Sequence, residues 1–111
     1  MKKHYTSSGM FYLAIYRANT AQQMRKVIDS CENIDVTNDL GTTALMLAVY
    51  AENKKVARLL IESGANPEAK DIYGWSVLDR APQGKIKAMI LRAIETKKRL
   101  ARINKSRGLS R

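Results

Sequence analysis

The chain has 111 residues, enough for one small domain or a short repeat array, and its 45% hydrophobic content is a globular level that speaks against wholesale disorder. One cysteine (Cys31) and one histidine (His4) exclude an internal disulfide framework, a four-cysteine zinc site and multi-histidine metal sites, and leave a histidine-based catalytic triad without support. Twenty Lys and Arg against ten Asp and Glu give +10, unevenly placed: residues 1–83 carry a net +1 and residues 84–111 a net +9.

In chain order, the first apolar run is Met10 to Tyr16, preceded by Lys2 and Lys3 in the manner of a signal peptide. Tyr12 and Tyr16 within it, Arg17 directly after it and a poor cleavage site at Ala18-Asn19-Thr20 speak against export. Together with the unpaired Cys31, this points to a reducing, cytoplasmic compartment; delivery into a host cell stays open. The longest apolar run, Ala44 to Ala51, has eight residues. A transmembrane helix needs about 20, so no membrane span is expected.

Segments then recur. "LAIYRAN" (Leu13 to Asn19) lies over "LAVYAEN" (Leu47 to Asn53) at an offset of 34. "RKVIDSCENID" (Arg25 to Asp35) lies over "RLLIESGANPE" (Arg58 to Glu68), and "DLGTTALMLA" (Asp39 to Ala48) over "IYGWSVLDRA" (Ile72 to Ala81), both at 33. "KVARLL" (Lys55 to Leu60) lies over "KIKAMI" (Lys85 to Ile90) at 30, which predicts a helix-to-helix turn near Gln83-Gly84 shorter by three residues.

The middle copy shows the physics of a unit. Thr43 caps a short helix, "ALMLAVY"; a turn at Glu52-Asn53 follows. A second helix places Val56, Leu59 and Leu60 on one apolar face. Gly64 ends it in the left-handed conformation, and "ANPEAKDIYG" is a turn-rich stretch closed at Gly74, which also requires positive φ. Neither helix buries its apolar face alone, so the copies must stack.

These residues resemble the ankyrin repeat family. The match is carried by Gly41, Thr43, Leu45, Ala48, Val56, Leu59, Leu60, Gly64, Ala65, Asn66, Ala69, Asp71 and Gly74, strongest over Asn38 to Ala81, fair before it and weak after Pro82. Ala44 and Val77 depart from the family's helix-opening proline, Met46 and Asp79 from its histidine, and Cys31 from its helix-ending glycine. The hydrogen bonding of that histidine to neighbouring loops is therefore expected to be absent. The resemblance implies an all-α fold: an ankyrin-type helix-turn-helix solenoid of about three stacked units. They would span about 8–38, 39–71 and 72–95 of a repeat domain 1–95, followed by a basic C-terminal helical extension, 96–111.

Enzymatic motifs are wanting. There is no G-x-S-x-G and no pairing of titratable groups that suggests a cleft. Gly84-Lys85 resembles the end of a phosphate loop, but Asp79 stands where its first glycine belongs. Asp29, Glu32 and Asp35 lack the glycine and terminal glutamate of a calcium loop and read as a solvated helix end. No catalytic residue, cofactor or metal is expected.

The resemblance implies that loop tips and the exposed side of the first helices face a protein partner. Carried over by alignment, those positions are Asp39, Leu40, Thr42, Tyr50, Ala51, Lys70, Ile72, Tyr73, Trp75 and Gln83, with Tyr16 and Arg17 in the degenerate first copy. Ile72, Tyr73 and Trp75 crowd around Gly74, and aromatics at projecting positions are enriched in interface hot spots. The alternative for Trp75 is that it folds back over the short third unit.

From about Lys85 to the region of Asn104, Ile86, Met89, Ile90, Ala93 and Ile94 make one apolar stripe, expected to cap the array. Beyond it, Lys97, Lys98, Arg99, Arg102, Lys105 and Arg107 exceed what a cap requires. They would attract an acidic protein surface, nucleic acid phosphates or an anionic membrane. Two functions follow. The first is a non-enzymatic, stoichiometric protein binder, an inhibitor or adaptor of effector or immunity type, monomeric on its own. The second is a non-sequence-specific nucleic-acid binder using the basic end; no aromatic residue follows Trp75, which leaves mainly phosphate contacts.

Overall fold

Among the described residues, five of the six helices start at a residue whose side chain accepts a hydrogen bond from an amide of the first turn, which is left without a partner inside the helix. Ser7 caps α1 (Ser8–Arg17), Thr20 caps α2 (Ala21–Ser30), Thr43 caps α3 (Ala44–Tyr50), Asn53 caps α4 (Lys54–Glu62) and Ser76 caps α5 (Val77–Arg80). The sixth helix, α6, runs Lys85–Ser106. The structure is a computed structural model and describes residues 2–106, with side chains to residue 103.

The helices stack in two layers. The first helices of the units pack in sequence, α1 on α3 and α3 on α5; the second helices do likewise, α2 on α4 and α4 on α6. The interface between layers is the core. Phe11 and Ile15 of α1, Leu45, Met46 and Val49 of α3, Val56 and Leu60 of α4, Val77 of α5 and Ile90 of α6 are all fully buried or nearly so. The architecture is the all-α ankyrin-type stack that the sequence predicts, with the apolar stripes of α4 and the first half of α6 turned inward.

Hairpin-like loops project from the stack. Thr37 pairs with Thr43 and Lys70 with Ser76, each as a single antiparallel bridge. The turns are held from within: Asn38 Oδ1 accepts from the amides of Leu40 (2.9 Å) and Thr42 (3.0 Å), and Asp71 Oδ1 from those of Tyr73 (2.9 Å) and Trp75 (3.0 Å). Neighbouring loops are tied by Ile72 N–H donating to Leu40 O (3.0 Å) and Asn66 N–H to Asp35 Oδ1 (2.9 Å). Gly64 and Gly74 have the expected positive φ, +100° and +82°.

One feature differs from the sequence reading and two add to it. The three residues missing from the third unit are lost from its first helix, α5, which has 4 residues where α3 has 7. The turn itself is not shortened, because Pro82 forces Ala81 out of the helical region (φ −68°, ψ 136°) and the chain needs residues 81–84 to re-enter a helix. The second concerns Asp79: in the place of the family's histidine it forms a capping box, accepting from Ser76 N–H (2.8 Å) and Ser76 O–H (3.0 Å). These bonds hold its carboxyl below the ordinary aspartate value. The third is the N-terminal segment, which pairs with the end of α2: Lys3 N–H donates to Ser30 O (2.6 Å), and Glu32 N–H to Lys3 O (2.8 Å). Cys31 has φ −72° there, so this helix end has no need of glycine.

Candidate functional site

The hairpin turns fix where the candidate side chains go. Because Asn38 and Asp71 turn their carbonyl or carboxylate oxygens inward to the loop amides, the residues between the bridges are left pointing outward. Leu40 is 49% exposed, Ile72 62%, Tyr73 66% and Trp75 45%. The Ile72–Leu40 main-chain bond joins the two tips, so these four apolar side chains belong to one continuous rim. Asp39 and Lys70 are exposed on the same two loops.

Thr42 differs from its neighbours. It is 8% exposed, because the 70–76 loop lies against the 37–43 loop, and its main chain is bonded to Asn38 in both directions. It holds the turn and presents little surface, so it leaves the contact set. Trp75 stands at the same place in the 70–76 hairpin, over which no further loop lies among the described residues, and remains half exposed.

Trp75 is half exposed, and its ring meets the third unit at Arg80. The guanidinium of Arg80, the last residue of α5, stands 5.2 Å from the Trp75 ring centre and 5.9 Å from that of Tyr50. Arg80 thereby links the loop tip to the end of α3 by cation–π contacts. Sequence reasoning missed Arg80; its place four positions after the cap Ser76, on a four-residue helix, was the available signal. Tyr50 is half-buried, its hydroxyl is shielded, and burial raises its pKa.

The first unit contributes separately. Tyr16 is 61% exposed and stacks on Tyr12 (6.2 Å between ring centres), whose hydroxyl accepts from Asn53 Nδ2 (3.3 Å). Arg17, Ala51 and Gln83 are exposed.

The basic end is an exposed helix. All residues from 95 to 103 are exposed, including Lys97, Lys98, Arg99 and Arg102. Lys97 reaches back across the stack to Asn66 Oδ1 (3.0 Å) and Glu68 Oε1 (3.4 Å), and Arg102 lies 4.0 Å from Glu95. Arg107 and the side chain of Lys105 lie outside the described residues. Among the described residues, no helix is long and apolar enough to cross a membrane.

Comparison with known proteins agrees with this geometry. The family model described as ankyrin repeats in three copies matches residues 11–97. The human palmitoyltransferase ZDHHC17 is 39% identical over 77 residues, covering 65% of this chain and 12% of that protein. The mitochondrial disaggregases of cattle and human are each 32% identical over 57 residues, covering 51% of this chain and 8% of theirs. The chain thus spans only about a tenth of the length of these relatives, and what it shares with them is the repeat. Ankyrin repeats are generally non-enzymatic modules for protein interaction. With the matched model reaching into all three helix pairs and covering the loops between them, the chain belongs to the ankyrin repeat family.

Proposed function

We propose that this chain is a non-enzymatic, stoichiometric protein binder, an inhibitor or adaptor of effector or immunity type that acts in the cytoplasm. It would recognise its partner through the rim formed by Leu40, Ile72, Tyr73 and Trp75, flanked by Asp39, Lys70, Tyr50, Arg80, Tyr16 and Arg17. One observation carries the reading: four large apolar side chains stand exposed on two hydrogen-bonded hairpins whose backbone is already fixed. A rigid rim loses little entropy on binding, and buried aromatics dominate interface energies. The basic half of α6 steers an acidic partner to this rim, raising the association rate more than the affinity.

The test is capture of the partner from the native host by the intact chain and by Tyr73→Ala/Trp75→Ala. The double variant should lose about 2 kcal/mol or more of affinity per hot-spot residue while keeping its helical circular dichroism. Undiminished capture overturns the rim. The run of exposed cations from Lys97 to Arg102 favours the second reading, non-specific nucleic-acid binding. In that case capture disappears after nuclease treatment, and the double variant binds duplex DNA as well as the intact chain.

A further inference from the structure

A second surface lies between the outer helices and shares no residue with the hairpin rim. Beside the loop that follows α4, helices α4 and α6 leave an open groove of about 860 Å³. Its floor is apolar, formed by Ile61 and Ala65 on one side and Met89 and Ala93 on the other, with Leu100 at the far end still 56% exposed. Its walls are cationic: Lys54 and Arg58 project from α4, Lys85 and Arg92 from α6. Among the described residues, none of these four cations takes part in an ion pair. The acid in the lining, Glu62, is 3.3 Å from Arg25, and Lys97 is drawn to Asn66 and Glu68.

Such a groove selects its occupant in three ways. An apolar floor rewards apolar side chains, by about 25 cal/mol for each Å² removed from water. Cations on both walls repel a basic segment and attract carboxylates. The walls are helices, whose main-chain groups are satisfied internally and offer an extended peptide no ladder to join. An occupant must therefore satisfy its own backbone. On α6 the lining positions 85, 88, 89, 92, 93, 96, 97 and 100 form one straight stripe. At 1.5 Å per residue this stripe is about 22 Å long, the length of a helix of roughly 14 residues.

We propose that this groove docks an acidic amphipathic helix of another protein, its apolar face on Met89, Ala93 and Ile61 and its carboxylates between Arg58 and Arg92. The site is independent of the hairpin rim, so the chain has two protein-binding surfaces.

The test uses a fluorescent peptide of about 14 residues, with leucine at helical spacing and glutamate elsewhere, and a scrambled peptide of the same composition. Binding is read by anisotropy on the intact chain and on Arg58→Glu, Arg92→Glu and Leu100→Asp. All three positions are exposed, so helical circular dichroism should be unchanged. The amphipathic peptide should bind the intact chain at least about tenfold more tightly than the scrambled one, and each variant should weaken it by about tenfold or more. Tyr73→Ala/Trp75→Ala should bind it like the intact chain. Equal binding of the scrambled peptide reduces the groove to bulk charge and overturns the proposal, as do unaffected variants or no binding. Retention on phosphatidylglycerol–phosphatidylcholine vesicles without peptide binding overturns it in favour of a lipid surface.

Discussion

Gly41 and Gly74 hold the same place in successive hairpins and share positive φ, +75° and +82°, yet their surroundings differ. A Cβ on Gly41 would stand 3.0 Å from Ile72 N and 3.2 Å from Asp71 Cα, main-chain atoms that cannot step aside, whereas one on Gly74 meets nothing within 4 Å. Alanine at Gly74 should cost only the left-handed conformation, about 1–2 kcal/mol. At Gly41 it carries that cost and also pushes the two hairpins apart, so Gly41→Ala should lower the denaturation midpoint well below that of Gly74→Ala. Equal midpoints would mean that the loops are not in contact. Both turns were legible in the sequence from glycine spacing. The difference between them was not, since it depends on which hairpin has a neighbour; the same blindness affected Thr42, aligned with Trp75 but covered where Trp75 is not.

Among the elements, those with strong local signals were read correctly. The cap Thr43, the Val56–Leu59–Leu60 face and the Ile86–Ile90 stripe each declare a helix from their own few residues. The misplaced deletion in the third unit shows the limit: an offset counts missing residues without saying whether helix or turn lost them. The pairing of Lys3 with Cys31 had no sequence signal, because a main-chain bridge leaves no pattern in side chains. The far half of α6 projects from the stack, tied back by Lys97. Removing residues 97–111 takes the charge from +10 to +3, and with it the exposed Lys97 contacts, worth about 1 kcal/mol or less. The truncated chain should therefore keep its helical spectrum and cooperative melt, losing only about a few degrees of midpoint. A broad, non-cooperative melt would show that residues past 96 hold the array together.

At the scale of the molecule, three units are about the minimum for a stable array, and each contributes only part of a core. Leu60 is fully buried in the middle unit, where α4 packs against α2, α3 and α6. Leu60→Ala should cost about 2–5 kcal/mol, against a total of about 5–15 for a domain of this kind. In so short an array the cost should appear as one lower transition in circular dichroism and not as a separate early phase. Two transitions would mean that the units fold apart. The charge map also changes with folding. The sequence shows a neutral body and a basic end, but stacking brings Lys54 and Arg58 beside Lys85 and Arg92, so the cations of body and end share one face.

The hairpin turns are secured by Asn38, Asp71 and main-chain groups, while the projecting side chains of Leu40, Ile72, Tyr73 and Trp75 have no part in those bonds. Natural selection can therefore act on specificity and on folding at different positions. A lineage can exchange its tips and acquire a new target through a handful of substitutions, each nearly neutral for the fold, without passing through unfolded ancestors.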